Sequence, residues 1–281
     1  MVNLRSIRNK EIELDELLLS ESPDVLLCTE TWLSDGDPSF FWFPKSYHVY
    51  RKDRQTRGGG VLIAVKDTLC SEEITLVGNN DIEACWCKVK TDSDIFWFAC
   101  FYSPPEDKRA IDVFCEQAKQ TLPANCRNVV LAGDFNLPEL KWHDEHWRTS
   151  CGSLKPDSLQ NLVDEFGLEQ IVEVPTRGGN CLDLIFTSVV CAKESVSAEA
   201  GVSDHLLVRT VFPTTLYQTE VKPKIMWRYD KADWEKINID LESLYATFVE
   251  GVAERTVNEN WLIFKSDISS SVEKHTKLIC Q

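Results

Sequence analysis

Asn128-Val129-Val130-Leu131-Ala132-Gly133-Asp134-Phe135-Asn136 is the stretch from which the rest of the chain can be read. Its apolar run is short, β-branched at the start and followed by turn chemistry, which predicts a buried strand. Residues i and i+2 of a strand point the same way. Asp134 and Asn136 therefore face one site at the strand's end, where Gly133 lets another backbone or a phosphate come close. A carboxylate beside an amide donor suits the orientation of a water against a phosphate. The same letters also describe a strand end followed by an Asx-type turn, and the motif alone does not separate the two.

Working outward toward the N-terminus, residues 1–4 read as the tail of a strand whose start is missing. Residues 5–10 lead into a helix with Ser6 or Asn9 as cap. Ile7, Leu14, Leu17 and Leu18 share its apolar face, and Pro23 stops it. A buried strand over residues 24–28 ends in Thr29-Glu30-Thr31-Trp32, which makes Glu30 a second carboxylate at a strand's end. The bland alternative for Glu30 is a solvated loop acid. Phe40-Phe41-Trp42-Phe43 suits a core or a strand edge. Residues 51–57 are the most basic window, with Arg54 and Arg57, and run into Gly58-Gly59-Gly60 and a strand over 61–65. A glycine-ended basic loop can approach a phosphate backbone. A solvated hairpin loop fits the same letters. Neighbouring strands over 83–90 and 95–102 deliver Tyr102 to the rigid turn Ser103-Pro104-Pro105. Ile111, Phe114, Cys115 and Ala118 keep helical spacing over 110–121.

On the C-terminal side comes a polar loop with His143 and His146. The pair can ligate metal, but no further ligands lie nearby and structural zinc takes four. Leu159, Leu162, Val163 and Phe166 mark a helix ended by Gly167. The loop Pro175-Thr176-Arg177-Gly178-Gly179 enters a strand over 181–187. Asp183, inside so apolar a run, has to be paired or sit at a site. Ser203-Asp204-His205 precedes a strand over 206–212. A histidine and a buried aspartate from different strands invite pairing through one ring nitrogen, with the other facing substrate. After Pro213 the composition changes. Residues 214–224 read as a linker. Ile237, Leu241, Leu244 and Phe248, then Trp261, Phe264, Ile268 and Val272, mark two amphipathic helices. The expected organisation is one domain over 1–213 and an appendage over 214–281.

The 281 residues carry a formal net charge of -15, 43% hydrophobic residues and nine tryptophans. That composition supports a sizeable core and argues against disorder. The charge argues against a protein that grips nucleic acid by bulk electrostatics, but permits a cation to bridge protein acids and a phosphate. The eleven cysteines are odd in number and lack metal-finger spacing. They read as reduced, mostly buried thiols of an intracellular protein. No signal pattern is present at the N-terminus, and the strongest apolar run, residues 95–102, is too short to span a bilayer.

Taken together, Asn3, Glu30, Tyr102, Asp134 with Asn136, Asp183 and Ser203-Asp204-His205 form an ordered series at predicted strand ends. This series resembles the endonuclease/exonuclease/phosphatase superfamily, which includes deoxyribonuclease I and the apurinic endonucleases. The local wording resembles the endonuclease domains of LINE-type (non-LTR) retrotransposons. It stands in Asn3-Leu4-Arg5-Ser6-Ile7-Arg8-Asn9-Lys10, Thr29-Glu30-Thr31-Trp32-Leu33, Arg57-Gly58-Gly59-Gly60-Val61 and Tyr102-Ser103-Pro104-Pro105. Gly133-Asp134-Phe135-Asn136-Leu137-Pro138, Leu182-Asp183-Leu184-Ile185-Phe186-Thr187-Ser188 and Ser203-Asp204-His205 complete it. The resemblance implies an α+β fold of two packed mixed β-sheets flanked by helices, a deoxyribonuclease-I-like sandwich, here with a C-terminal helical tail. It implies Mg²⁺-dependent hydrolysis of a phosphodiester, with Mn²⁺ as a possible substitute. By the family's pattern, Glu30 holds the metal with Asn3 and Asp204, and Asp134 deprotonates the attacking water. Asn136 and Tyr102 position the phosphate, and His205, oriented by Asp183, donates to its oxygens. Ser203, Thr176, Arg54 and Arg57 are the expected substrate contacts. The implied substrate is duplex DNA, nicked to leave a 3′-hydroxyl by a protein that works in the nucleus. The residues after Pro213 resemble the segment that leads to a reverse transcriptase in such elements. Two other readings stay open: a phosphatase or phosphodiesterase of the same superfamily, and a catalytically silent interaction module.

Overall fold

The computed structural model describes residues 1–76, 82–92, 94–107, 109–138, 157–190, 192–212 and 231–276, and the backbone alone at 140–143, 146–149, 225–227 and 278–280. The chain divides into two compact units, Met1–Thr219 and Glu220–Gln281.

The first unit is built on two sheets. One contains β1 (Val2–Asn3), β2 (Val25–Thr29), β4 (Val61–Lys66) and β3 (Tyr47–Lys52) in the order β1-β2-β4-β3, with β1 parallel to β2. The other has six strands: β11 (Glu169–Gln170), β12 (Asp183–Thr187), β8 (Asn128–Asp134), β7 (Ile95–Tyr102), β6 (Glu83–Lys90) and β5 (Cys70–Glu73). The β7–β8 pair is parallel and the rest are antiparallel. A hairpin of β13 (Ser197–Ala200) and β14 (Leu206–Arg209) joins the first sheet through Met1, which exchanges two backbone hydrogen bonds with Val208 at 2.6 and 2.9 Å. Both sheets are mixed, and helices flank them.

Strand alternation explains the layers. Leu27, Val61, Ile63 and Val65 of the first sheet meet Phe96, Phe98, Cys100 and Val130 of the second in the inter-sheet core. The residues between them turn outward. Leu26, Cys28, Leu62 and Ala64 pack under Leu14, Leu17 and Leu18 of α1 (Glu11–Glu21). Trp86, Ala99, Phe101 and Leu131 pack under α2 (Arg109–Thr121) and α3 (Asp157–Phe166). Each large side chain buried this way contributes about 1.5–3 kcal/mol. Cys85, Cys87 and Cys100 lie in the inter-sheet core, and the eight described cysteines are free thiols.

Several local expectations need correction. The first helix starts at Glu11 with Lys10 at the N-cap position, whose side chain has no acceptor to cap it; Ser6 and Asn9, the expected caps, lie ahead of that position at positive φ. Ser6 and Ile7 instead donate backbone bonds to Glu30 and Thr31, which turns residues 5–9 into a loop around the site. The aromatic cluster splits: Phe43 is buried, whereas Phe40 and Phe41 lie on an exposed 3-10 turn. The strand expected over 206–212 ends at Arg209, and Ser195 Oγ accepts the Val211 N–H beyond it. The segment with His143 and His146 contains a hairpin, β9 (Leu140–His143) and β10 (His146–Thr149), whose two histidines pair in register; their side chains lie outside the described residues. The expected linker, residues 214–224, also lies outside them.

The second unit pairs β15 (Ile225–Trp227) with β16 (Leu278–Cys280) and holds two helices, α4 (Trp234–Gly251) and α5 (Val257–His275). Asp233 caps α4. Thr256 and Glu259 form a reciprocal capping box at α5; the paired orphan donors explain the sharp start. Asp240 ties the helices together through His275 at 2.9 Å and Lys274 at 3.0 Å. No helix among the described residues is long and apolar enough to cross a membrane.

Candidate active site

Four acid or phenol groups stand in one transverse row across the second sheet. Glu83 pairs with Tyr102, Tyr102 with Asp134, and Asp134 with Asp183, on β6, β7, β8 and β12. Neighbouring strands lie about 4.8 Å apart, so strand register alone gathers these groups at one rim. The first sheet ends at the same rim. Asn3 pairs with Thr29, and Glu30 follows Thr29 with φ 50°. That left-handed conformation is uncommon for a residue with a side chain and is typical of functional sites.

At the rim, one amide links the Glu30 strand end to Asp134. Asn3 Nδ2 donates to Glu30 Oε1 at 3.0 Å and to Asp134 Oδ2 at 2.9 Å. Asn3 Oδ1 accepts the Arg5 N–H at 2.9 Å. Asn3 is fully buried, and Ser203 Oγ donates to its carbonyl at 2.6 Å. Trp32 Nε1 donates to the other oxygen of Glu30 at 3.3 Å.

Two features of the sequence around Asp134 fix it in place. Gly133 lies against Phe101 of the parallel neighbour so closely that a Cβ would run into the Phe101 carbonyl oxygen. Phe135 is fully buried among Phe101, Phe114 and Phe186, with ring centroids 5.1, 6.0 and 5.2 Å away. Asp134 and Asn136 thus flank an anchored aromatic. Asn136, at φ 47°, donates its N–H to Asp134 Oδ1 at 3.1 Å and its Nδ2 to the Ser103 carbonyl at 2.8 Å. The amide's second N–H has no protein partner among the described residues.

His205 Nδ1 meets Asp183 Oδ2 at 2.7 Å, and both side chains are buried. One oxygen of each aspartate and one nitrogen of His205 lie within 4.8 Å of one another. Burial, then the charge of Asp183, pushes the Asp134 carboxyl up to about 7; His205, Asn3 and the Asn136 N–H pull the other way. Burial opposes the His205 imidazolium, but the hydrogen bond and charge of Asp183, with Asp134 behind it, outweigh burial and raise its pKa. Tyr102 is pushed well above its usual value by burial first and then by Glu30, Asp134 and Glu83. It therefore stays a phenol, a hydrogen-bond donor.

The remaining candidates divide. Asp204 Oδ2 takes Arg5 at 3.0 Å and Arg177 at 3.0 and 2.9 Å. Burial works against its charge, but the two arginines outweigh burial and lower its pKa. Arg54 lies over the Tyr102 ring at 5.8 Å and pairs with Glu83, whose other oxygen accepts the Gly60 N–H. Arg57 lies over the Trp32 ring at 5.7 Å and is exposed. Thr176 differs from expectation. It is 1% exposed, and its hydroxyl accepts the Leu182 and Asp183 N–H groups, both at 3.1 Å. So buried, it braces Asp183 and has no surface to offer a substrate. Ser203 is likewise used internally, since its hydroxyl also accepts the His205 N–H at 3.1 Å. Sequence reasoning missed Trp32, Glu83, Arg5 and Arg177 as parts of the rim. Only Glu83 carried a signal, a carboxylate at the head of an otherwise apolar strand.

These residues fit a divalent cation. Glu30 and Asp134 converge on a single amide, and Asp183 Oδ1 is buried with no partner. Among the described residues no arginine or lysine ion-pairs Glu30 or Asp134. The atoms on offer are mainly hard oxygens, the donors that Mg²⁺ takes.

Comparison with known proteins agrees with this geometry. Over 140 residues the chain is 26% identical to the RNA-directed DNA polymerase from mobile element jockey of Drosophila melanogaster. That match covers 50% of this chain and 15% of the relative, so the chain spans a small part of the relative's length. Among solved structures, the endonuclease domain of TRAS1, a telomere-specific non-LTR retrotransposon, superposes with a TM-score of 0.57 at 19% identity, covering 75% of this chain and 97% of that one. A 3′ phosphatase from Neisseria, bound to a product DNA hairpin, gives 0.57 at 20% identity over 75% and 97%. An AP endonuclease from Archaeoglobus fulgidus gives 0.52 at 16% over 76% and 98%. These likenesses carry the deoxyribonuclease-I-like fold and bear out the resemblance read from the motifs. A family model runs over residues 2–205, from the first paired strand to the histidine at the rim, and on that match the chain belongs to the endonuclease/exonuclease/phosphatase family.

Proposed function

We propose that this chain is a Mg²⁺-dependent phosphodiester hydrolase that nicks duplex DNA and leaves a 3′-hydroxyl. The observation that carries the reading is the convergence of Glu30, Asp134 and the His205–Asp183 pair on one rim through Asn3 and the strand register. Glu30 would hold the cation, with the Oδ1 of Asp204, which accepts no hydrogen bond among the described residues, as a further oxygen; Asn3, expected as a ligand, turns its Nδ2 to Glu30 and its Oδ1 to the Arg5 N–H and would position Glu30 instead. Bound there, the cation supplies neutralisation of charge on the phosphoryl oxygens.

Asp134 takes the proton of the attacking water. A carboxylate whose pKa stands near 7 is a far better base than an exposed one, because a base works best with a pKa near the working pH. Asn3 and the Asn136 N–H each hold one oxygen of Asp134, which fixes the direction of proton transfer. The second N–H of the Asn136 amide and the phenol of Tyr102 donate to phosphate oxygens. His205, held by Asp183 through Nδ1, presents Nε2 as an imidazolium, whose charge stabilises the developing dianion. Arg57, next to Trp32, offers the duplex backbone a cation.

The reading places this chain beside a reverse transcriptase in a longer element that acts on nuclear DNA. The test is nicking of supercoiled plasmid by the purified chain with Mg²⁺, with Mn²⁺ and with EDTA. Activity should require a divalent ion. Asp134→Ala and His205→Ala should each lower the rate by at least about 10²-fold, the scale of a lost general base or acid. Extension of the nick by a DNA polymerase reads the 3′-hydroxyl directly. Nicking at the same rate in both variants would sink the assignment.

A further inference from the structure

Glu30 follows its strand in a conformation that side chains rarely take, and Trp32 repeats it. Glu30 stands at φ 50° and Trp32 at φ 57°. For a side chain as bulky as tryptophan the left-handed region is an outlier, and such strain persists only where the surroundings impose it. Here they impose it through the main chain. On one side, Ser6 and Ile7 donate to the carbonyls of Glu30 and Thr31 at 2.8 and 3.0 Å. On the other, the Gly60 and Gly59 carbonyls accept the N–H groups of Thr31 and Trp32 at 3.2 and 2.8 Å.

The glycine arm is itself fixed from the second sheet. Glu83 accepts the Gly60 N–H through one oxygen and Arg54 Nε through the other, the latter at 2.8 Å. Gly59 lies at φ 65°, so close to this pair that a Cβ would run into the Glu83 carboxylate and the Arg54 guanidinium. Glu83 is the one member of the transverse row with no part in the proposed chemistry. Its place against the arm supplies one: it carries the backbone that sets Trp32.

What the arm delivers is a single N–H. Trp32 Nε1 donates to Glu30 Oε2 at 3.3 Å, while Asn3 Nδ2 donates to Oε1 at 3.0 Å. A carboxylate that accepts at both oxygens cannot turn about its last bond without breaking one of these contacts. Each oxygen still has a lone pair to offer. Both donors are neutral, so they orient the charge without cancelling it, as an arginine or lysine in their place would. Arg57, over the indole ring at 5.7 Å, holds the plane of that ring from outside.

We propose that Trp32 is a positioning residue that selects the cation, by holding Glu30 in the orientation a small octahedral ion requires. The inference rests on the reading of Glu30 as the cation's ligand. Mg²⁺ demands near-ideal octahedral geometry at about 2.0–2.1 Å, whereas Ca²⁺ accepts oxygens at about 2.3–2.6 Å in flexible arrangements. A carboxylate free to turn serves Ca²⁺ well, and a fixed one favours Mg²⁺. Donors that orient a ligating side chain typically contribute about 10–100-fold to metal affinity. Trp32 acts through Glu30 and touches no reacting atom.

The test is calorimetric titration of Mg²⁺ and of Ca²⁺ into the full chain, without DNA. Trp32→Phe removes the indole N–H and keeps a ring beneath Arg57. It should weaken Mg²⁺ binding at least about tenfold and Ca²⁺ binding much less, so that the preference for Mg²⁺ falls. Benzothienylalanine placed at residue 32 exchanges the N–H for sulfur at the same shape. It should reproduce the loss with Tm in EDTA unchanged, and it decides the matter if phenylalanine disturbs the fold. Glu30→Gln should weaken both ions. If Glu30→Gln weakens binding but the sulfur isostere binds Mg²⁺ as tightly as the unaltered chain, or loses Mg²⁺ and Ca²⁺ affinity equally, this inference alone is overturned. If the unaltered chain binds no Mg²⁺, or binds it indifferently to Glu30→Gln, the inference falls together with the reading it rests on.

Discussion

Replacing Asp134 with asparagine should stabilise the metal-free protein at pH 8 and destabilise it near pH 4. Burial and the charge of Asp183 hold the Asp134 carboxyl at about 7 in the folded chain. Unfolded, it ionises near 3.9. Between those values the folded state keeps a proton that the unfolded state has lost. Stability therefore falls as pH rises through this window, and the full penalty stands above pH 7. At 1.36 kcal/mol per pKa unit, the penalty is at most about 4 kcal/mol. Asparagine has the same shape and no charge to desolvate. Its own NH₂ has to face either Asn3 Nδ2 or the Asn136 N–H, now 2.9 and 3.1 Å from the carboxylate oxygens. A lost buried bond of this kind costs about 1–3 kcal/mol at every pH. The His205–Asp183 pair adds to the same trend. A raised histidine pKa contributes stability below about 6.5 that is lost as pH rises through the folded value, and Asp134 supports that rise. The net expectation is a variant about 1–3 kcal/mol less stable near pH 4 and about 1–3 kcal/mol more stable at pH 8. Urea unfolding followed by tryptophan fluorescence in EDTA, from pH 4 to 8, measures the difference. A difference that stays constant across that range would refute the reasoning.

Three further outcomes follow from the same rim. Gly133→Ala should cost at least about 3 kcal/mol of stability, because its Cβ meets a backbone carbonyl that sits inside a sheet and cannot yield; chemical denaturation checks it. Tyr102→Phe should lower the nicking rate about tenfold or more while leaving Tm within a few degrees, since it removes only the phenol oxygen; an unchanged rate would exclude Tyr102 from phosphate contact. Arg57→Ala should weaken binding to a nicked duplex and flatten its salt dependence by close to one phosphate contact, with hydrolysis of a small diester unaffected.

Much of the site was legible because strand period and residue type agree. Asp134 and Asp183 each interrupt an apolar run, and a buried charge in such a run demands a partner. That logic led to His205 before any geometry. That β6, β7, β8 and β12 are strands followed from their apolar runs and turn residues, whereas beyond the pairing of β6 with β7 their order in the sheet did not. What stayed hidden depends on long-range closure. Asn3 was visible as a strand-end amide, but its place between Glu30 and Asp134 requires two sheets to meet, and no local pattern encodes that. Thr176 looked like a loop hydroxyl, whereas the loop folds inward so that the hydroxyl satisfies the N–H groups of Leu182 and Asp183. The start of α1 was misplaced for a related reason. Backbone bonds from Ser6 and Ile7 to the Glu30 strand end compete with the helix and win.

The transverse row of Glu83, Tyr102, Asp134 and Asp183 has a wider consequence. Its spacing is set by main-chain pairing, so the chemistry is carried by a lattice that side-chain drift hardly alters. Loops entering the rim can then lengthen, shorten or exchange without disturbing the distances between these four groups. On the proposed function, a scaffold of this kind separates the question of which phosphoester is admitted from the question of how it is cut, and lets the first change while the second stands still.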